Sequence, residues 1–316
     1  MKRRRFIRNS ALGSLALTIP AIRSFGNNFS AGYEIPRRVL GNTGDKLSVI
    51  GFGGIMLNDN PQDFANELVA KAYELGVNYY DVAPTYGNAE ERLGPALKPY
   101  RENSFLACKT NRRDQEGAQQ DLENSLRNLQ TDRFDLYQLH ALSSVEDVEK
   151  VFAPGGAMEV FEKAKRDGKV RHVGFSAHSV DAALLAMERY DFDSILFPIN
   201  FACWNAGNFG PQVYAEAEKR GMGVLALKAM ALTRLDEGEK KIYKNVWYRP
   251  ILDEEIMKMA LKYTLSKNIT AAIPPGKNTL FLKALEFMND FGEITTRETA
   301  RLQELSNVTK PIFMHA

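Results

Sequence analysis

The chain has 316 residues, 44% hydrophobic and 25% charged, the make-up of an ordinary globular protein, and one α/β barrel of about 250 residues plus extensions accounts for it. The formal net charge is +2, with no basic stripe or basic helix interleaved with aromatics, so nothing points to nucleic acid as a partner. Two cysteines, Cys108 and Cys203, and four histidines are too few for a zinc ligand set, no metal site is expected, and the cysteines carry no disulfide spacing.

Residues 1–8, M-K-R-R-R-F-I-R, cluster five cations, and residues 11–22 are mostly small and apolar. This is a charged region followed by an apolar stretch too short to span a bilayer permanently. Arg3, Arg4, Phe6 and Arg8 resemble the twin-arginine export signal, with Arg8 in place of its lysine. Residues 1–31 are therefore expected to be an export signal and linker, cut around 24–31 or retained as an anchor. The twin-arginine export machinery is then a partner and the protein periplasmic or exported; it is cytoplasmic if the signal is not used. Residues 32–316 are expected to form the barrel.

Residues 37–40 and 46–50 flank Gly41-Asn42-Thr43-Gly44, a turn whose residues tolerate positive φ. A hairpin closing the bottom of a barrel is predicted there. Residues 49–51 end a first strand, and Phe64, Leu68, Ala72 and Leu75 give residues 62–75 helical spacing. The alternation continues with strand 78–81, helix 89–97, strand 104–109 and helix 119–129. Strand 134–140, helix 156–167, strand 170–176 and helix 180–189 follow. Strand 194–200, helix 211–220, strand 223–228, helix 252–266, strand 270–273 and helix 279–287 complete the series, with an extra helix over 296–308. Eight strand and helix pairs predict a (β/α)8 TIM barrel with an N-terminal β-hairpin and an extra C-terminal helix. An open doubly wound sheet is disfavoured: Gly51-Phe52-Gly53-Gly54 leads into a loop over 55–61, and the dinucleotide fingerprint needs a helix at once.

Several polar residues fall at the carboxyl ends of consecutive strands, where barrel active sites sit. Asp81 closes the second strand, Lys109 the third and His140 the fourth, and Tyr86 lies in the loop after Asp81. A phenol has a pKa of about 10, and a nearby ammonium brings it down. Lys109 can supply that charge, Asp81 can hold Lys109 protonated, and His140 can orient a carbonyl oxygen. Such a set delivers a proton and leaves the bond change to another agent; a hydride donor fits, because carbonyl reduction needs a proton on oxygen and a hydride on carbon.

At these residues the sequence resembles an aldo-keto reductase: G-V-N-Y-Y-D-V-A-P-T-Y-G-N-A-E-E-R-L-G over 76–94, A-C-K-T over 107–110 and L-Y-Q-L-H over 136–140. The resemblance runs from about residue 37 to about residue 287. It implies Asp81, Tyr86, Lys109 and His140 as the catalytic tetrad, with Tyr86 as general acid in the reducing direction, and an extended nicotinamide cofactor at the barrel's top. For that cofactor it implies Ser176, with Ala177 standing where the family has asparagine and His178 next. It also implies Asn200 in place of glutamine, Lys228 near the pyrophosphate or simply solvated, and Gly276 and Lys277 after the last strand. The nicotinamide-stacking tyrosine matches Leu227, leaving Trp204 or Phe201 to replace it, and the arginine position looks like Phe281. A phosphate met by Lys277 lacks the arginine fork; NADP is the expected cofactor with NAD close behind, tightly held if the protein is exported. The chain looks like a divergent bacterial branch of the family, some members of which carry iron-sulfur extensions that two cysteines cannot ligate.

The expected function is interconversion of an aldehyde or ketone, sugar-like in outline, and its alcohol. The alternative is a cofactor-binding sensor without turnover. Substrate choice is expected in loops 54–61, 141–156, 201–210 and 230–252, with Met56 and Trp204 as pocket residues and the last loop, carrying Trp247, Tyr248 and Arg249, as a lid.

Overall fold

A computed structural model describes residues 33–315. The proposed export signal over 1–31 lies outside the described residues.

The hairpin pairs β1 (Arg37–Val39) with β2 (Lys46–Ser48), Arg38 opposite Leu47. Its turn fits under the barrel because Gly41 adopts φ +49°. A Cβ there would lie 2.3 Å from the Gly223 amide nitrogen. Leu40 and Leu47 enter the barrel floor and pack with Tyr79, Phe105, Leu136 and Leu225 in one buried cluster. The Arg38 guanidinium donates to the carbonyls of Leu265 (2.9 Å) and Ile269 (2.9 Å), fastening the hairpin to the last helix-to-strand turn.

Above this plug run β3 (Phe52–Gly53), β4 (Tyr79–Asp81), β5 (Phe105–Thr110), β6 (Phe134–Leu142), β7 (Val170–Ala177), β8 (Ser194–Pro198) and β9 (Gly223–Leu227). An antiparallel pair, β10 (Ala231–Arg234) and β11 (Tyr248–Pro250), follows at the top, and β12 (Ala271–Ile273) completes the barrel. The eight barrel strands are parallel and in chain order. The ring joins first strand to last through a single parallel bridge between Ile50 and Ala272, where Gly51 N–H donates to the Ala272 carbonyl at 2.9 Å. Strands covered on both faces carry apolar residues on both, and β4, β5 and β8 are buried along their whole length.

The outer ring comprises α1 (Gln62–Glu74), α2 (Ala89–Leu97), α3 (Gln115–Asn128), α4 (Val145–Phe152), α5 (Met158–Arg166), α6 (Val180–Arg189), α7 (Phe201–Asn205), α8 (Pro211–Lys219), α9 (Glu254–Leu265) and α10 (Asn278–Glu286), with α11 (Thr296–Asn307) added. Capping explains where the predicted boundaries move. α3 starts at Gln115 rather than 119 because the Asp114 carboxylate accepts from the Gly117 amide. α4 lies in a stretch expected to be loop; Ser144 caps it, and Val148 and Val151 give it one buried face. α7, also expected to be loop, is capped by Asn200. The first barrel strand ends at Gly53 rather than at Gly51, and residues Gly54–Leu57 form a 3-10 turn. Among the described residues no helix is long and apolar enough to cross a membrane.

Candidate active site

Residues two apart on a strand share a face, so β5 turns Phe105, Ala107 and Lys109 inward together, and β6 does the same with Leu136, Gln138 and His140. β4 contributes Tyr79 and Asp81. Lys109 is completely buried, its ammonium donating to the Asp81 carboxylate and to the Val82 carbonyl at 3.2 Å. Asp81 also accepts from Gln138 Nε2 at 3.2 Å and from the Tyr79 hydroxyl at 3.3 Å. Burial alone would depress the Lys109 pKa; Asp81, with help from Tyr86, more than offsets it and the net direction is up. The lysine is therefore a fixed, buried positive charge.

Tyr86 sits on the loop above, its ring centre 5.3 Å from Lys109 Nζ and 5.8 Å from the His140 ring, edge to face. Burial raises the Tyr86 pKa; Lys109 pulls it back without cancelling the rise. From sequence alone the ammonium is expected to win. Desolvation of the phenolate is the larger effect, so the phenol keeps its proton. His140 is depressed well below its ordinary value, by burial first and then by Lys109, His178, Arg113 and Lys228. It is a neutral imidazole whose Nδ1 lies 3.3 Å from the Thr85 hydroxyl. The backbone just beyond it is held firmly: Ala141 has φ +55°, its N–H donates to Ser176 Oγ at 2.7 Å, and Arg113 donates to the carbonyls of His140 and Ala141.

Asp81, Tyr86 and His140 open into a cavity of 230 Å³ walled by Leu227, Lys228, His178, Trp247, Tyr248 and the turn from Ile273 to Gly276. A wider open depression of 720 Å³ lies at the opposite end of the barrel, around Asp45, Arg133 and Arg171, and contains none of these groups.

Among the expected site residues, Asn200, Trp204 and Met56 lie elsewhere. The Asn200 amide is fully buried and spent on backbone: Oδ1 accepts from the Ala202 and Cys203 amides, and Nδ2 donates to the carbonyls of Lys228 (3.0 Å) and Ala231 (2.7 Å). Trp204 points away from the cavity, packing edge-on against Tyr214 at 5.6 Å with the Lys267 ammonium 4.0 Å from its ring. Met56 lines a second cavity of 480 Å³ together with Phe64, Tyr243, Asn245, Gly276 and Lys277. The aromatic wall is instead Trp247, flagged only as part of a lid, backed by Phe313 at 5.9 Å; Phe313 also stacks on His178 at 5.0 Å. Gln138, Thr85 and Phe313 were missed. The period-2 pattern of β6 could have revealed Gln138; nothing local distinguishes Phe313.

The two cavities share Asn245 and Gly276. Between them the segment linking β10 and β11 crosses the barrel mouth. Asn245 Nδ2 donates to the Ile55 carbonyl at 3.0 Å, Asn58 Nδ2 donates to Asn245 Oδ1 at 3.4 Å, and Lys244 pairs with Asp59. A Cβ at Gly276 would lie 2.8 Å from Ile55 and 3.1 Å from the Asn245 carbonyl. Two hollows joined under a strap, with Lys277 in the outer one, suit an extended dinucleotide. Half of the expected carboxamide grip does not match: Asn200 is spent on backbone, while Ser176 Oγ accepts from Ala141 and keeps its hydroxyl hydrogen for a ligand.

The model of the Aldo/keto reductase family matches residues 49–307. The chain belongs to the aldo/keto reductase family. It is 24% identical over 320 residues to L-galactose dehydrogenase of Arabidopsis thaliana, covering 89% of this chain and 99% of that protein. It is 32% identical over 157 residues to human aldo-keto reductase family 1 member C2, covering 43% of this chain and 48% of that one. Among solved structures, the holo form of the aldo-keto reductase AKR11C1 from Bacillus halodurans superposes with a TM-score of 0.67 at 23% identity, over 86% of this chain and 96% of that one. Membership makes the protein an oxidoreductase of a family whose members use NAD(P)H on carbonyl compounds, and the (β/α)8 barrel is the family's fold.

Proposed function

We propose that this aldo/keto reductase interconverts a small aldehyde or ketone and its alcohol, with Tyr86 as general acid in the reducing direction and general base in the other. The observation that carries the reading is the protonated Tyr86 phenol set against the buried Lys109–Asp81 pair and edge-on to a neutral His140. When bound, the nicotinamide supplies or accepts the hydride. The chain does the rest. Burial keeps the proton on Tyr86 oxygen until a carbonyl oxygen takes it, and Lys109 stabilises the phenolate that remains. Asp81, braced by Gln138 and Tyr79, holds Lys109 charged and in place, and the neutral His140 ring offers a hydrogen bond to the same carbonyl oxygen. General acid help of this kind contributes about 10² to 10⁴ in rate.

Gly276, Lys277 and the strap at Asn245 are the residues we assign to the nucleotide. NADP is the first choice, and NAD follows closely because Lys277 alone provides no bidentate fork. A sugar-like substrate is supported by the full-length likeness to L-galactose dehydrogenase. The twin-arginine-like residues 1–31 support export of a barrel starting near residue 32, with the nucleotide carried as a tightly held group and recycled by a second substrate. Replacing Tyr86 with Phe should abolish hydride transfer while nucleotide still binds, and retained turnover would remove Tyr86 from the acid role.

A further inference from the structure

We propose that Lys228, with His178 beside it, anchors an anionic group of the substrate, so that the site takes a carbonyl or alcohol compound bearing a carboxylate. This rests on the oxidoreductase reading and names its substrate class. Lys228 lines the cavity that holds Tyr86 and His140. Its Nζ sits in an aromatic corner, 5.1 Å from the Trp247 ring centre and 4.8 Å from that of Tyr248. Among the described residues no carboxylate pairs with it. The titratable groups facing it supply no free negative charge: His140 and His178 are neutral, Tyr86, Tyr248 and Cys203 are held protonated by burial, and Asp81 is committed to Lys109. A shielded ammonium with no counter-ion is unfavourable until an anion arrives, and burial lowers its pKa to about 8.

The backbone that carries this side chain is held in one conformation. Lys228 has φ +67°, a left-handed conformation that a residue other than glycine keeps only where its surroundings impose it. Asn200 imposes it, through its donation to the Lys228 and Ala231 carbonyls from a fully buried position. His178, stacked on Phe313 and neutral because burial lowers its pKa to about 4, can donate an N–H to the same anion.

A nucleotide phosphate and a substrate carboxylate offer the same anionic oxygens. From sequence Lys228 is expected near the pyrophosphate, and the nucleotide would share its cavity at Asn245 and Gly276; Lys228 is absent from the outer hollow, which favours the substrate as its partner. Lys277 lies beyond the strap in the outer cavity, 5.6 Å from the Tyr243 ring centre, whereas Lys228 shares its cavity with the proton donor. We assign the phosphates to Lys277 and the carboxylate to Lys228.

The test compares two aldehydes of equal chain length, 4-oxobutanoate and butanal. The wild type should prefer 4-oxobutanoate in kcat/KM, and Lys228→Met should cut that preference by about 10- to 100-fold, the range for losing a hydrogen bond to a charged group. Its nucleotide dissociation constant should hold, while Lys277→Met should weaken the nucleotide and leave the preference intact. Lys228→Gln, one atom shorter and keeping a donor without the charge, replaces Lys228→Met if that variant is insoluble. The same pair of ligands is titrated by tryptophan fluorescence on Tyr86→Phe protein with nucleotide bound. A wild type without preference for the acid, or a Lys228→Met variant that loses nucleotide and keeps the preference, overturns the proposal. Carboxylate-selective binding without turnover of either aldehyde leaves the anion site standing and overturns the oxidoreductase reading instead.

Discussion

At the scale of single residues, the site is a contest between burial and charge. Lys109 wins its contest because Asp81 is in contact; Tyr86 loses its own because Lys109 is spread between two partners while burial acts in full. Lys109→Met would leave the Asp81 carboxylate buried without its cation, and a loss of about 3 to 5 kcal/mol in urea unfolding is expected, together with loss of reduction. The histidines add a pH dependence. His140 and His178 are depressed in the folded chain, His178 to about 4, and return to about 6.5 on unfolding. Across that window the unfolded chain binds more protons than the folded one, so stability rises with pH and is lost as pH falls from about 6.5 towards 4. His178→Leu should flatten this acid-side loss in denaturant titrations at about pH 7 and about pH 5; an unchanged slope would exclude His178 as a contributor. The gathering of Asp81, Tyr86, Lys109 and His140 at one rim was legible, because three are polar side chains near strand ends and Tyr86 lies in the loop after one. The rise in the Tyr86 pKa was not, since desolvation depends on burial that no motif encodes.

Among elements, the regular barrel units were legible and the embellishments were not. α4 and α7 are short, and their signals are caps: Ser144 with one apolar face in α4, and in α7 the same Asn200 amide that was expected to hold a cofactor. An amide at a strand end is ambiguous between ligand and cap until the carbonyls around it are known. Replacing Asn200 with Leu would orphan the Ala202 and Cys203 amides and release the Lys228 backbone. A cost of about 2 to 4 kcal/mol is expected in unfolding experiments, larger than for a residue whose partner is an exchangeable ligand. The strap between β10 and β11 is clamped at both ends. Arg249 pairs with Glu239 at 2.6 Å, and Asn245 latches to Ile55. Asn245→Ala should speed release of bound nucleotide about tenfold, the equivalent of about 1.4 kcal/mol, as followed by stopped-flow fluorescence; an unchanged release rate would mean that the strap does not gate it.

For the whole molecule, eight regular repeats of strand and helix announced the barrel, because a strand buried on both faces and a helix buried on one leave different periodicities. What periodicity cannot announce is where the ring closes, since that junction joins residues far apart in the chain. Mass analysis of nucleotide released on denaturing natively purified protein checks the tightly held cofactor: stoichiometric release is expected, and its absence would count heavily against it. The junction itself, one bridge between Ile50 and Ala272, lies beside a two-residue strand and a three-residue strand, whereas β6 and β7 are paired over much of their length. Its upper end runs into Gly53 and the turn from Ile273 to Gly276, which wall the groove proposed for the nucleotide. The ring is thus thinnest where a ligand would lie across it, and local opening should concentrate there. Amide hydrogens of Gly51 and Ala272 should exchange with deuterium sooner than those of Tyr137 or Val173, and nucleotide should slow the first pair selectively. A dinucleotide laid along this joint would serve as a removable stitch, making the rigidity of the barrel a reading of its occupancy.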